Sequence, residues 1–337
     1  MQYAPLLRRL IAGEHLTQTE SAELIGAIMD GAFTVIQGAG LLVALASKGE
    51  HIDEIVGAAR AMRERSLRVE HGLSCVVDVV GTGGDGANTI NVSTMAALVA
   101  AAAGLAVAKH GNRAASSACG SADVLEATGL AIELAPDQAA AMLRESNFTF
   151  MFAPRYHPAM KNVAPIRREL GVRTIFNVLG PLTNPAYASV QVVGVSRAEL
   201  IVPMGEVLRG LGVLRGAIVH GANGIDEVAG DTTTTIYSFD ADGGRTWTLD
   251  PKRYGIDVPL AEIVGGSIEA CRDAFLAILG GEHSPRADVV ALNAAVVMQT
   301  ANLEPNLESA LARAREILAS GEALRTYERA KEFARAS

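Results

Sequence analysis

The sequence predicts an α/β protein in which a helical N-terminal segment precedes a larger, parallel α/β region. Three observations carry that reading. At 337 residues the chain exceeds the usual single-domain size, so two domains, or one large domain with a subdomain, are expected. It is 49% apolar and rich in glycine, with 34, yet only 4% aromatic, which suits small, closely packed elements and argues against disorder. From residue 75 onward, strand-like runs, loops and helical patterns alternate in the rhythm of parallel α/β architecture.

Over residues 1 to about 70 the apolar positions recur at helical spacing: Leu6, Leu7, Leu10 and Ile11, then Leu24, Ile25, Ile28 and Met29, then 41–45 and 52–62. Thr17 and Glu20 form a capping-box pattern at the start of the second helix. The Gly- and Ala-rich faces of this segment predict packing or subunit contact rather than chemistry. At 75–80 the β-branched run Cys75-Val76-Val77-Asp78-Val79-Val80 reads as a buried strand. A helix over 93–103, a strand over 105–108 and a helix around 123–127 follow. Further strands are expected at 148–152, ended by Pro154, and at 190–195 and 216–220, with a helix over 199–211 between the last two. Residues 165–185 read as a polar, Pro- and Asn-rich connection carrying Arg167, Arg168 and Arg173. Helices over 287–301 and 307–318 close the chain, and the threonine run 232–235 has no structural reading.

Charge narrows the partners. With 29 Lys and Arg against 37 Asp and Glu, the net charge is -8, so general attraction to nucleic acid or to an anionic membrane is not expected. An anionic ligand then needs local positive charge or a metal. The longest apolar run, 95–108, is too short to span a bilayer and is broken by Gly104. The start, Met1-Gln2-Tyr3-Ala4-Pro5, lacks a basic head and apolar core, so no signal peptide is expected. Cys75, Cys119 and Cys271 are odd in number and form no CxxC, which predicts reduced thiols and a cytoplasmic protein.

Two loops point to chemistry. Gly81-Thr82-Gly83-Gly84-Asp85 follows the first strand, and the stretch from Lys109 to Ser117 follows the second. Glycines let backbone amides approach oxygens, hydroxyls donate and a lysine supplies charge, so such loops suit a phosphate-bearing ligand. The first loop is neither a Walker motif nor a dinucleotide fingerprint. Ser93 or Thr94 is expected to cap the next helix, leaving further amides to point at phosphate. In the second loop Lys109, His110, Asn112 and Arg113 add charge and donors, and Ser116, Ser117 and Ser121 add hydroxyls. His110 is read as structural, not as a catalytic base. Asp226-Glu227, in a loop after the last of these strands, offers hard oxygen ligands for Mg²⁺, although adjacent acids are also common on surfaces. Arg167 and Arg168 suit a planar carboxylate, with a surface ion pair as the bland alternative.

Taken in order, 81–85, 91–94, 109–117, His157-Pro158-Ala159-Met160, 177–185 and Asp226-Glu227 resemble the anthranilate phosphoribosyltransferase family over nearly the whole chain. The resemblance implies Mg²⁺-dependent transfer of the 5-phosphoribosyl group of phosphoribosyl pyrophosphate to the amine of anthranilate, the second step of tryptophan biosynthesis. It implies a helical domain of residues 1–70, with part of about 165–187 packed on it, and an α/β domain of 71–337 with a mostly parallel sheet flanked by helices. It also implies a homodimer formed through the helical domain. The implied phosphoribosyl pyrophosphate site comprises Gly81, Gly84, Asp85, Thr89, Asn91, Val92, Ser93, Thr94, Lys109, His110, Gly111, Asn112, Arg113, Ala114, Ala115, Ser116, Ser117 and Ser121. Mg²⁺ is implied at Ser93, Asp226 and Glu227, and anthranilate at Gly81, Asn112 and Arg167. No acid–base catalyst is implied; Lys109, Asn112 and Arg167 position substrates and stabilise charge. Two rivals share the broad architecture. A pyrimidine nucleoside phosphorylase carries a lysine–serine-rich phosphate signature that neither loop matches. A non-catalytic nucleic-acid binder predicts a basic groove and loss of the anthranilate residues.

Overall fold

Four helices open the chain, and side chains close most of their first turns. In the computed structural model, which describes residues 2–114 and 117–336, these are α1 Tyr3–Ile11, α2 Gln18–Met29, α3 Val35–Lys48 and α4 Ile52–Glu64. Thr17 and Glu20 cap α2 reciprocally, as the spacing predicts, and Thr34 with Gln37 does the same for α3. The buried Glu54 carboxylate ties the bundle together, accepting from Lys48 Nζ at 2.6 Å and from the Leu16 amide at 2.8 Å.

The remainder is a seven-stranded sheet with helices on both faces. Its strands are β1 Val77–Gly81, β2 Val107–Gly111, β3 Phe148–Phe152, β4 Val190–Gly194, β5 Arg215–Gly221, β6 Thr234–Asp240 and β7 Gly243–Leu249. They lie in the order β3-β2-β1-β4-β5-β6-β7. The first five pair in parallel and the last two add an antiparallel hairpin. The intervening helices are α5 Val92–Ala102, α6 Ser121–Ala127, α7 Pro136–Ser146, α8 Ala153–Tyr156, α9 Met160–Leu170, α10 Phe176–Leu179 and α11 Ile201–Gly210. After the hairpin come α12 Ile268–Leu279, α13 Pro285–Thr300, α14 Leu307–Ala319 and α15 Glu322–Ala336. Among the described residues, no helix is long and apolar enough to cross a membrane.

Two apolar clusters hold the layers. One joins α5, α7 and α12–α15 to one face of the sheet. The other joins α1–α4, through α11, to Val193, Val195, Ile218, Tyr237 and Phe239, which line the opposite face. The segment from α9 to Leu182 enters this second cluster through Val163, Ile166, Ile175, Phe176, Leu179 and Leu182. Buried Arg63 of α4 ties the layers further, its Nε donating to the Leu182 carbonyl at 2.7 Å.

Four expectations need correction. The first two strands end later than read, so Lys109 and His110 lie within β2; their charge suggested a loop, but both are buried. Neither Ser93 nor Thr94 caps α5: Asn91 holds that position and makes no side-chain cap bond. The 165–185 connection begins inside α9, which contains Pro165. Its first turn is wound with three-residue bonds, Met160 to His157 and Lys161 to Pro158, ahead of the proline. The threonine run leads into β6, whose alternation through Ile236, Tyr237 and Phe239 went unread.

Candidate active site at the carboxyl ends of the strands

A basin of about 420 Å³ opens where β1 and β2 end, bounded by both glycine-rich loops, the start of α5, the acidic pair and α9–α10. This is where ligands gather in parallel sheets. Every implied site residue among the described residues lines it except Val92, which is buried in the first turn of α5. Ala115 and Ser116 lie outside the described residues.

The acidic pair reaches the basin through close backbone approaches. A Cβ at Gly194, the end of β4, would sit 1.6 Å from the Asp226 carbonyl oxygen, so only glycine lets that backbone lie against the strand end. A Cβ at Gly81 would sit 2.3 Å from Asp226 Oδ2. That oxygen accepts from the Gly83 amide at 2.6 Å, tying the acid to the first loop. Burial, then the charge of Asp85, pushes the Asp226 carboxyl up to about 6. Glu227 is raised well above the usual carboxylate range by burial and then by Asp226 and Asp85. Its Oε2 is buried and has no hydrogen-bond partner among the described residues. Two carboxylates crowded against their own charge, with a free buried oxygen close to Ser93, fit a hard divalent cation. No group of three or more His, Cys, Asp or Glu among the described residues is placed to hold a metal.

Opposite the acids stand donors. Lys109 projects from β2 and is almost wholly buried, with Nζ donating to the Val79 carbonyl and, at 3.3 Å, to Ser93 Oγ. Burial pushes the ammonium down to about 8, against the pull of Asp78, Glu227 and Asp226. Beside it α5 begins with its first turn at the basin, and the buried Thr94 hydroxyl has no partner among the described residues. That arrangement attracts anions.

The two loops are clipped together by asparagines that sequence reasoning passed over or assigned otherwise. Asn88, in the left-handed conformation at φ 51°, accepts from the Ala118 amide at 3.1 Å. Asn91 donates to the Cys119 carbonyl at 3.2 Å. Arg113, expected to charge the basin, spends its guanidinium on Glu126 at 2.7 Å and Asp123 at 3.3 Å. Only the remainder of the residue faces the ligand space.

Arg167 of α9 closes the basin from the bundle side. It is half-buried, burial lowers its pKa, and its side chain has no ion pair or hydrogen bond among the described residues. Arg168 is exposed and does not line the basin. Phe176 and Asn177 line the same basin and were not singled out individually; an apolar ring and a free guanidinium in one basin suit an aromatic carboxylate. His110 lines the basin, and behind it lies His157, with ring centroids 5.1 Å apart. Burial pushes them down to about 3 and about 4, with each other's proximity adding to the effect at His110. Both are therefore neutral at physiological pH, as the structural reading of His110 expected.

Similarity to known proteins runs over the whole chain. A family model described as "Glycosyl transferase family, helical bundle domain" matches residues 4–66, and "Glycosyl transferase family, a/b domain" matches 73–324. The chain is 47% identical over 336 residues to an anthranilate phosphoribosyltransferase of Thermus thermophilus, covering 98% of this chain and 99% of that one. It is 44% identical over 329 residues to that of Symbiobacterium thermophilum, covering 97% and 96%. A crystal structure of the Thermus thermophilus enzyme superposes with a TM-score of 0.91 at 46% identity, covering 98% and 99%. A Saccharomyces cerevisiae enzyme solved in complex with PRPP and Mg gives 0.90 at 28% identity, covering 100% and 99%.

Proposed function

This chain belongs to the anthranilate phosphoribosyltransferase family, and from that we propose how its basin performs the family's reaction. The enzyme transfers the 5-phosphoribosyl group of phosphoribosyl pyrophosphate to the amine of anthranilate, releases pyrophosphate, depends on Mg²⁺ and serves the second step of tryptophan biosynthesis.

In our reading the pyrophosphate rests on the first loop, the start of α5 with its unpartnered Thr94 hydroxyl, and Lys109. Ser93, Asp226 and Glu227 would hold Mg²⁺, which when bound neutralises charge gathering on the departing pyrophosphate. Arg167 takes the anthranilate carboxylate, with Gly81 and Asn112 near its amine and Phe176 against its ring. The amine nitrogen bonds to the anomeric carbon as the carbon–oxygen bond to pyrophosphate breaks. An aniline nitrogen is a weak nucleophile, so orientation and leaving-group stabilisation supply most of the acceleration. Neutral His110 and His157 resist protonation, and the amine proton passes toward the substrate's own carboxylate. Replacing that carboxylate by an amide should change the pH dependence of the rate; an unchanged profile would sink this step.

The observation that carries the reading is Arg167, a half-buried guanidinium without an acidic partner among the described residues, facing the same basin as the phosphate-type loops. The decisive experiment follows loss of anthranilate fluorescence with and without phosphoribosyl pyrophosphate and Mg²⁺. Loss that needs all components, with pyrophosphate released in step, is expected; no loss in folded protein refutes it. The acids Asp85, Asp226 and Glu227 in the basin oppose the nucleic-acid alternative.

Two further elements complete the proposal. The protein acts as a homodimer through the bundle, supported by Ile36, 82% exposed, and Ile11, 71% exposed, on α3 and α1. Light scattering should give twice the chain mass. It works in the cytoplasm, supported by three unpaired cysteines; fractionation that finds it elsewhere would contradict this.

A further inference from the structure

The acidic pair sits on a turn that two buried side chains hold from outside the basin. Residues 289–298 of α13 are all buried, and Asn293 is the only polar one among them. An amide in such a place is costly unless its hydrogen bonds are made. Two of them grip Val228, the residue directly after Glu227. Oδ1 accepts from the Val228 amide at 2.9 Å, and Nδ2 donates to the Val228 carbonyl at 3.0 Å. The other Nδ2 hydrogen goes one turn back along α13 to the Val289 carbonyl at 2.9 Å, which fixes the orientation of the amide group. One residue further on, the Ala229 amide donates to Thr234 Oγ1 at 2.9 Å. Thr234 is wholly buried at the start of β6 and pairs with Gly221 of β5, so its hydroxyl enters the turn where the ladder closes it. Neither side chain lines the basin.

Planar peptides turn these bonds into a clamp. The Val228 N–H shares a plane with the Glu227 carbonyl, and Asn293 holds it. The Val228 carbonyl and the Ala229 N–H share the next plane; Asn293 holds the first and Thr234 the second. Two successive planes are therefore fixed from α13 and β6, and with them the direction in which Glu227 leaves the backbone. The turn needs such a hold. Glu227 Oε2 is buried with no partner among the described residues, and its neighbour in sequence is another carboxylate. Adjacent carboxylates kept from water repel one another and are drawn toward solvent until a cation joins them.

We propose that Asn293 and Thr234 are positioning residues for metal binding: by fixing the peptides on either side of Val228 they keep Glu227 in place for Mg²⁺. The proposal rests on the assignment of Mg²⁺ to Asp226 and Glu227. Asparagine suits the role because it both accepts and donates; an ionised aspartate has no hydrogen for the Val228 carbonyl, and leucine offers neither function.

The test measures pyrophosphate binding to the full chain by calorimetry, with and without Mg²⁺ and with anthranilate absent, so that no turnover is involved. The quantity read is the gain in pyrophosphate affinity that Mg²⁺ confers. Asn293→Leu keeps the size of the side chain and removes its bonds, Thr234→Val keeps the shape and removes the acceptor, and Thr234→Ser keeps the hydroxyl. In Asn293→Leu the gain should shrink about tenfold, the order expected for one or two ordinary hydrogen bonds, with metal-free affinity unchanged. Thr234→Val should shrink it about threefold, and Thr234→Ser should match wild type. Met298→Ala opens a cavity at the far end of the same helix; it should lower Tm and leave the gain intact. Should Asn293→Leu not fold, the two Thr234 variants decide. A wild-type gain in Thr234→Val or in folded Asn293→Leu, or an equal loss in Met298→Ala, would overturn the proposal. Asp226→Asn separates it from the reading beneath it. No gain in wild-type protein, or one that Asp226→Asn leaves intact, refutes the metal assignment and this proposal with it. A gain lost in Asp226→Asn but kept in the Asn293 and Thr234 variants refutes the clamp alone.

Discussion

Replacing Gly81 with alanine adds one methyl group at the end of β1, directly against the acidic pair. Its Cβ would lie 2.3 Å from Asp226 Oδ2 and 3.0 Å from Cγ, so the carboxylate must retreat by about an ångström to reach ordinary contact at 3.4 Å. That retreat breaks its 2.6 Å bond from the Gly83 amide. A hydrogen bond to a charged group is worth about 1.5–3 kcal/mol. If Asp226 holds the metal in the transition state, kcat/KM should fall about 10- to 150-fold, at roughly 1.4 kcal/mol per decade. The half-saturating Mg²⁺ concentration should rise with it. Initial rates from anthranilate fluorescence, taken at saturating anthranilate across a Mg²⁺ series, measure both. Asp226→Asn should shift the same Mg²⁺ curve without any crowding. A wild-type Mg²⁺ curve for Gly81→Ala, in protein whose melting curve matches wild type, would refute the assignment.

Other perturbations separate the remaining roles. Arg167→Ala should raise the KM for anthranilate far more than that for phosphoribosyl pyrophosphate, with about 2–4 kcal/mol lost in kcat/KM; equal effects on both substrates would count against it. Lys109→Met removes a buried cation that has no ion pair among the described residues, so Tm should hold or rise while kcat/KM falls on the order of 100-fold. A lowered Tm with intact kinetics would reverse that view. With Asp226 pushed up to about 6 and Glu227 raised as well, apparent Mg²⁺ affinity should climb with pH, with a bend near 6 where the Asp226 proton adds about tenfold per unit to the fall below it. The sign for stability is opposite: a folded pKa above the unfolded 3.8 gives a contribution present below that pH and lost as pH rises through about 6. Mg²⁺ titrations at several pH values that show no bend near 6 would exclude Asp226 as a ligand.

Much of the scaffold was legible because both faces of the parallel strands are buried. Val77, Val79, Val190, Val192 and Phe148 sit in continuous apolar or β-branched runs that local pattern detects. The β6–β7 hairpin was not, because β7 is largely exposed and a threonine run hid the alternation of β6. Lys109 and His110 were misread as loop residues because charge ordinarily signals solvent. Partners far along the chain make their burial tolerable: the Val79 carbonyl takes the ammonium, and the Asp78 carboxylate accepts from the His110 amide at 3.2 Å. The same limit governs the site. Nothing in the local pattern at Gly81 announces Asp226, 143 residues beyond Gly83 along the bond that joins them. The resemblance supplied that association. Nor did the sequence show that Arg113 is committed to Glu126, a pairing set by how α6 folds back over the loop.

The apolar cluster that α1–α4 share with Val193, Ile218, Tyr237 and Phe239 bears on how such a chain can be inherited and rebuilt. Family models split it into two blocks, but the cluster crosses that boundary: α11 of the second block lies against Tyr237 and Ile218 and packs on α4 of the first. A fragment beginning near residue 71 keeps α11 on the sheet but would present to water the apolar side chains that α11 and the segment from α9 to Leu182 turn toward the bundle, which makes it a precipitate rather than a working half. A foreign bundle grafted onto this chain has to match that surface before any substrate contact matters. Divergence on either side of the seam is therefore tethered to divergence on the other, while the loops above remain free to vary with the chemistry.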